Sequence, residues 1–130
     1  MSEGQLFVIR IVGLQRNESV GQEFVLLQNQ GSLRLNLRGH LVVSEAALDE
    51  GDLTQAAHAF NDDVLIPPGM YVLLFTGAGL SRWARTRDGA LVYYSFMNRA
   101  NSVWDCSTGP LHLLCTQHTF CERPPALLLR

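Results

Sequence analysis

The chain has 130 residues, 47% of them hydrophobic and 17% charged, with a net charge of −2 at pH 7. That length suits one domain with a buried core, and no apolar run approaches the roughly 18 residues that would cross a bilayer. The slight acidity provides no overall attraction to nucleic acid or to anionic membranes.

The N-terminus, MSEGQLFVIRIVGL, carries neither the basic flank nor the small-residue cleavage site of a secretory signal. The chain therefore reads as soluble and unexported, with the cytoplasm as its expected location. Three cysteines are an odd number, so at least one thiol is unpaired or bonds outside the chain. That favours a reducing compartment, in which a buried thiol behaves as a small hydrophobe.

Period-two patterning dominates the chain. In LFVIRIV, Phe7, Ile9 and Ile11 share one face, and Val8, Arg10 and Val12 the other. EFVLLQNQG sets Val25, Leu27 and Asn29 against Phe24, Leu26 and Gln28, and Gly31 closes the run. SLRLNLRG alternates Leu33, Leu35 and Leu37 with Arg34, Asn36 and Arg38, the pattern of a strand with one face in water. After HLVVS, the Ala- and acid-rich stretch EAALDEGDLTQAAHAF favours a short surface helix. Within it, Asp52 and Gln55 have the spacing of a capping box. VLIPPGMYVLLF predicts a turn at Pro67-Pro68-Gly69 and then a strongly apolar strand. Asp88-Gly89 predicts another turn before the aromatic strand LVYYSFM. GPLHLLC and TFCER read as a final hairpin, and the prolines of PPALLLR leave the sheet pattern. Short strands at near-regular spacing with little helix point to an all-β sandwich or barrel.

The order of these elements resembles the lamin-tail domain, particularly its stand-alone bacterial members. The likeness runs from about residue 6 to 122. It is carried by Glu23, Val25, Leu27 and Asn29 in one strand closed by Gly31, then Leu37 and Gly39. Pro68-Gly69 and Trp104-Asp105 complete it. The resemblance implies an immunoglobulin-like antiparallel β-sandwich with a short helical insertion, used for binding and without catalytic residues. Two departures stand out: His40 occupies a position that is usually Trp in that family, and the coiled-coil rod of the lamins is missing. In such a sandwich Val25, Leu27, Leu37, Val72, Leu74, Trp104 and Leu113 would face between the sheets. Asn29 and Asp105 would bond backbone at strand ends.

Three stretches tempt a sharper functional reading. In HLLCTQHTFC, His112, Cys115, His118 and Cys121 recur every third position. Such spacing in a strand points neighbouring members to opposite faces, so no metal site is expected. A loop spanning residues 116–120 makes Cys115 and Cys121 direct partners, whereas a shorter one sets Cys115 opposite Phe120. The expected outcome is a structural hairpin with buried thiols. TGAGLS resembles a nucleotide-binding loop, but it lacks a following helix, so Gly77 and Gly79 are expected in a wide sheet-edge loop. In SRWARTRDG, Arg82, Arg85 and Arg87 surround Trp83, a grouping suited to phosphates or stacked rings.

Asp49, Glu50, Asp52, Asp62 and Asp63 read as a solvated acidic face, because they do not follow a calcium-loop pattern. No nucleophile motif or carboxylate pair stands out. The expectation is one domain over 1–130, with its core at about 6–122 and a tail at 123–130. It would be a non-catalytic module for a protein or polymer partner, without cofactor or membrane contact, and edge-strand homodimerisation is one route to assembly. The alternative is a nucleic-acid- or phosphate-binding domain using Arg82, Trp83, Arg85 and Arg87 as a loop.

Overall fold

A computed structural model of the chain describes residues 8–51 and 56–115. Within them, alternating apolar side chains produce ten strands, joined by one short α-helix and a turn of 3-10 helix at Val20–Gln22. The strands are β1 (Ile9–Gln15), β2 (Phe24–Asn29), β3 (Leu35–Asn36), β4 (His40–Ser44), β5 (Ala57–Ala59), β6 (Leu65–Ile66), β7 (Tyr71–Phe75), β8 (Arg82–Arg85), β9 (Leu91–Phe96) and β10 (Leu111–Cys115). The helix α1 (Glu45–Glu50) follows β4. The strands form a five-stranded sheet ordered β1-β2-β7-β9-β8, a three-stranded sheet β10-β4-β5, and the small pair β3-β6. The fold is all-β and sandwich-like.

Val25, Leu27, Leu37, Val42, Ile66, Val72, Leu74 and Trp104 are fully buried in one cluster, with Leu113 packed against it. The parity read from the strands therefore holds through the core. A bulge between Ile11 and Gly13 shifts the register of β1, which lets Leu14 turn inward after Ile9 and Ile11.

One strand pair departs from the antiparallel expectation. β9 runs parallel to β7, with Tyr71 opposite Val92 and Phe75 opposite Phe96. The chain leaves β7, travels back as β8 at the sheet edge, and returns as β9 in the space between them. A hairpin partner thus supplies the crossover that usually takes a helix.

Three local expectations are corrected. SLRLNLRG forms only the two-residue β3, and Leu33 lies half in solvent. The Asn36 side chain accepts from Arg38 N–H at 2.9 Å and donates to Asp63 at 2.7 Å, while Gly39 takes a φ of 94°. These side-chain bonds and the turn displace ladder pairing. In the second case, Ala57–Ala59 joins β4 as strand β5 and extends no helix. The helix is capped by Ser44, whose hydroxyl accepts from Ala47 N–H at 3.1 Å, and is closed by Gly51 at a φ of 71°. The Asp52/Gln55 box lies outside the described residues, as do the second half of the terminal hairpin and the 123–130 tail. The third correction concerns Asp62, which belongs to no solvated face. Its carboxylate accepts from the Tyr93 hydroxyl at 3.0 Å and the Ser95 hydroxyl at 3.2 Å.

Glu23 is fully buried at the start of β2. Its Oε1 accepts from the Thr76 hydroxyl at 2.8 Å, from Val103 N–H at 2.8 Å and from Trp104 N–H at 3.1 Å. Oε2 accepts from Asn17 N–H at 3.4 Å. Asn29, also fully buried, donates to the Leu33 and Ile66 carbonyls and accepts from Gly31 N–H, all within 2.8–2.9 Å. Asp105, by contrast, is exposed.

Glu23→Ala is expected to lower unfolding free energy by about 3 kcal/mol or more, because several buried donors lose their acceptor. Glu23→Gln retains one oxygen and should lose less; equal losses in denaturant titrations would show that shape, and not hydrogen bonding, matters here. Burial holds the imidazoles of His40 and His58 below the ordinary histidine value of 6.5. Bonds to the Leu37 and Asn36 carbonyls oppose the shift at His40, and attraction to Asp62 opposes it at His58. The unfolded chain therefore takes up these protons first as pH falls. Their contribution is complete above about pH 6.5 and is lost as pH drops through the lowered folded values. Melting temperature should accordingly fall on moving from about pH 7.5 to about pH 5.5, and His58→Gln should flatten part of that slope.

Candidate functional site

A two-layer sandwich needs apolar side chains on its inner faces and polar ones outside. The outward positions of the five-stranded sheet break that rule. Strand register builds one row from Gln15, Phe24, Phe75 and Phe96, and a second from Leu26, Leu73, Tyr94 and Arg82. Tyr71, Val92 and Ala84 make a third. Phe75 stacks on Phe96 with ring centroids 5.0 Å apart and meets Tyr94 edge-on at 5.3 Å. Phe24 joins edge-on at 6.4 Å. Most of these rings are half-buried by one another, so the face is preformed. Arg10 on β1 and Arg82 on β8 supply its charge, and no carboxylate occupies an outward strand position.

The predicted arginine/tryptophan loop is in fact the edge strand β8 followed by a turn. The Asp88-Gly89 turn lets the chain fold back onto β9, and ladder pairing then extends Arg82–Arg85. Strand alternation sends these side chains to opposite sides. Arg82 projects outward, its guanidinium 5.2 Å from the Tyr94 ring centroid and 5.9 Å from that of Phe96. Trp83 projects the other way and meets Tyr93 edge-on at 5.3 Å. Arg85 shares the Trp83 side and donates to the Gly89 carbonyl at 3.0 Å. Arg87 lies exposed in the turn. The four residues adjoin one edge, but they do not converge on a single ligand position.

Beside Arg82, a groove of about 280 Å³ is floored by Phe75, Tyr94 and Phe96 and walled by Gly21, Gly77 and Ala78. Its wall is the TGAG segment. Strand β8, and not a helix, follows that segment, so the geometry that binds a pyrophosphate does not form. The glycines serve close packing instead. A Cβ on Gly79 would lie 2.4 Å from the Phe96 ring, and Gly79 N–H donates to Asn98 at 3.0 Å. Leu80, at the tip, is 83% exposed.

His112 on β10 lies 3.3 Å from Glu45 at the start of α1. Contrary to expectation, the Cys115 thiol of the terminal stretch is exposed, and so is that of Cys106. Among the described residues, β10 lies at one end of its sheet. His118 and Cys121 lie outside the described residues. Among the described residues, no three His, Cys, Asp or Glu side chains gather as a metal site, and no helix is long and apolar enough to cross a membrane. A larger cleft of about 530 Å³ runs between α1 and residues 99–108, with Arg99, Glu50 and Cys106 in its walls.

The outward face could have been found in the sequence. YVLLF and LVYYSF are apolar at both parities, the signature of a strand covered or used on both sides. The Asp62–Tyr93–Ser95 cluster left no such signal, because it joins residues about thirty positions apart.

Gly79→Ala should displace the Phe96 ring and lower stability by about 1–3 kcal/mol. Gly21→Ala, across the same groove, has open space around its Cβ and should be tolerated; equal denaturation midpoints for the two variants would refute the packing role of Gly79. Comparison of the chain with protein-family models, curated proteins and solved structures finds no match.

Proposed function

We propose that the chain is a non-catalytic interaction module of the lamin-tail type, with an immunoglobulin-like sandwich as scaffold. In this reading, the outward face of the five-stranded sheet receives a protein or polymer partner. The single observation that supports it is the set of aromatic and aliphatic rows at outward positions. A lone exposed apolar side chain is ordinary, but a contiguous patch marks a contact surface. Aromatic and arginine residues without Asp, Glu or Lys also form the composition expected at the centre of an interface. The resemblance in the order and spacing of sequence motifs, from about residue 6 to 122, supports the family reading, and the burial of Glu23, Asn29 and Trp104 suits their place in it.

The nucleic-acid reading draws on Arg82, which lies over two aromatic rings. It has less support, because Trp83 and Arg85 face the other side and the chain carries a net charge of −2. A cell extract from the native host separates the outcomes. The purified chain should sediment as a larger species in extract than alone, and Tyr94→Ser should abolish that shift while leaving the circular-dichroism spectrum unchanged. Co-sedimentation of wild type and variant at the same position would end the proposal.

A further inference from the structure

β8 ends the five-stranded sheet. It pairs with β9 on one side, and no other described strand lies on its outer side. Such an edge presents backbone N–H and C=O groups to which a further strand can add. The turn beyond it is firmly closed, by Thr86 N–H to the Ala90 carbonyl at 2.9 Å and Gly89 N–H to the Thr86 carbonyl at 3.0 Å. Asp88, the acid within that turn, accepts from the Thr86 hydroxyl.

Exposed arginines stand at both ends of the strand. Arg82 donates to the Leu80 carbonyl at 3.2 Å and Arg85 to the Gly89 carbonyl at 3.0 Å. Each bond orients a guanidinium and uses one of its five donors, so each can still take a carboxylate. Between them lie half-exposed Trp83 and Ala84.

We propose that β8 is the docking edge for an extended acidic segment of another protein, which adds a sixth strand to this sheet. The proposal rests on the interaction-module reading and specifies its partner. The incoming segment carries two carboxylates three residues apart, opposite Arg82 and Arg85. Two apolar side chains between them meet Trp83 and Ala84.

Charge complementarity selects this occupant. A second copy, paired antiparallel through all of β8, would set Arg82 against Arg85 at both ends, and like charges directly opposed destabilise a strand pair. The stretches of this chain outside the described residues hold no two acids at that spacing: 1–7 carries Glu3, 52–55 Asp52, and 116–130 Glu122. A nucleic acid has no amide ladder to satisfy the edge.

The test titrates the full chain with two blocked peptides that differ only in a central Glu-Val-Val-Glu or Lys-Val-Val-Lys. Binding is followed through backbone amide shifts and tryptophan emission. The acidic peptide should saturate, shift the Arg82–Arg85 amides and alter emission from Trp83, since Trp104 is sealed in the core. The double variant Arg82→Glu/Arg85→Glu should weaken that binding at least about tenfold and accept the lysine peptide instead, as expected when charge pairing sets specificity. Equal binding of both peptides, binding of neither, or arginine-dependent binding of a single-stranded oligonucleotide in their place would overturn the proposal. If the peptides fail while the Tyr94-dependent shift in extract persists, the edge proposal falls and the module reading survives.

Discussion

A buried carboxyl group that, among the described residues, bonds no basic side chain organises one end of this sandwich. Glu23 gathers donors from the loop after β1, from the end of β7 and from the segment around Trp104. The arrangement also accounts for the position of Trp104. Its backbone N–H and that of Val103 are tied to Glu23, which draws the side chain into the core although no strand carries it. Thr76, held by the same oxygen, marks the point where the chain leaves β7 for the sheet edge. Core and candidate surface thus share one anchor.

Most of the sheet architecture was legible from alternation alone. Val25, Leu27, Val72 and Leu74 follow parity because a buried strand face leaves little freedom of register. Turn residues were equally readable, since Gly69 and Gly89 take positive φ values that L side chains rarely adopt. Alternation failed where side chains compete with the backbone. Asn36 bonds its own turn and cuts a promising strand to two residues. The parallel placement of β9 was not legible, because pairing between distant strands is set by the whole sheet and not by either segment.

The candidate site was half legible. Arg82, Trp83, Arg85 and Arg87 do adjoin one sheet edge, but reading them as a loop concealed their alternation. Once they lie on a strand, arginine and tryptophan divide between two faces, and a single gripping cluster becomes a bordered edge. The apolar character of the outward face could be read from YVLLF and LVYYSF, but its arrangement in rows could not. Each strand contributes only a few outward rings, and only the strand order places Phe24, Phe75 and Phe96 in one line.

The insertion of β9 between β7 and β8 bears on when this surface comes into being. β8 touches the sheet through β9 alone, so its edge cannot be aligned with the aromatic rows until the later strand has wedged into place. A nascent or partly melted chain lacks the assembled surface even though every residue of it has been made. A partner that recognises edge and rows together would therefore discriminate finished molecules from unfinished ones, and by binding the native state alone would add to its stability.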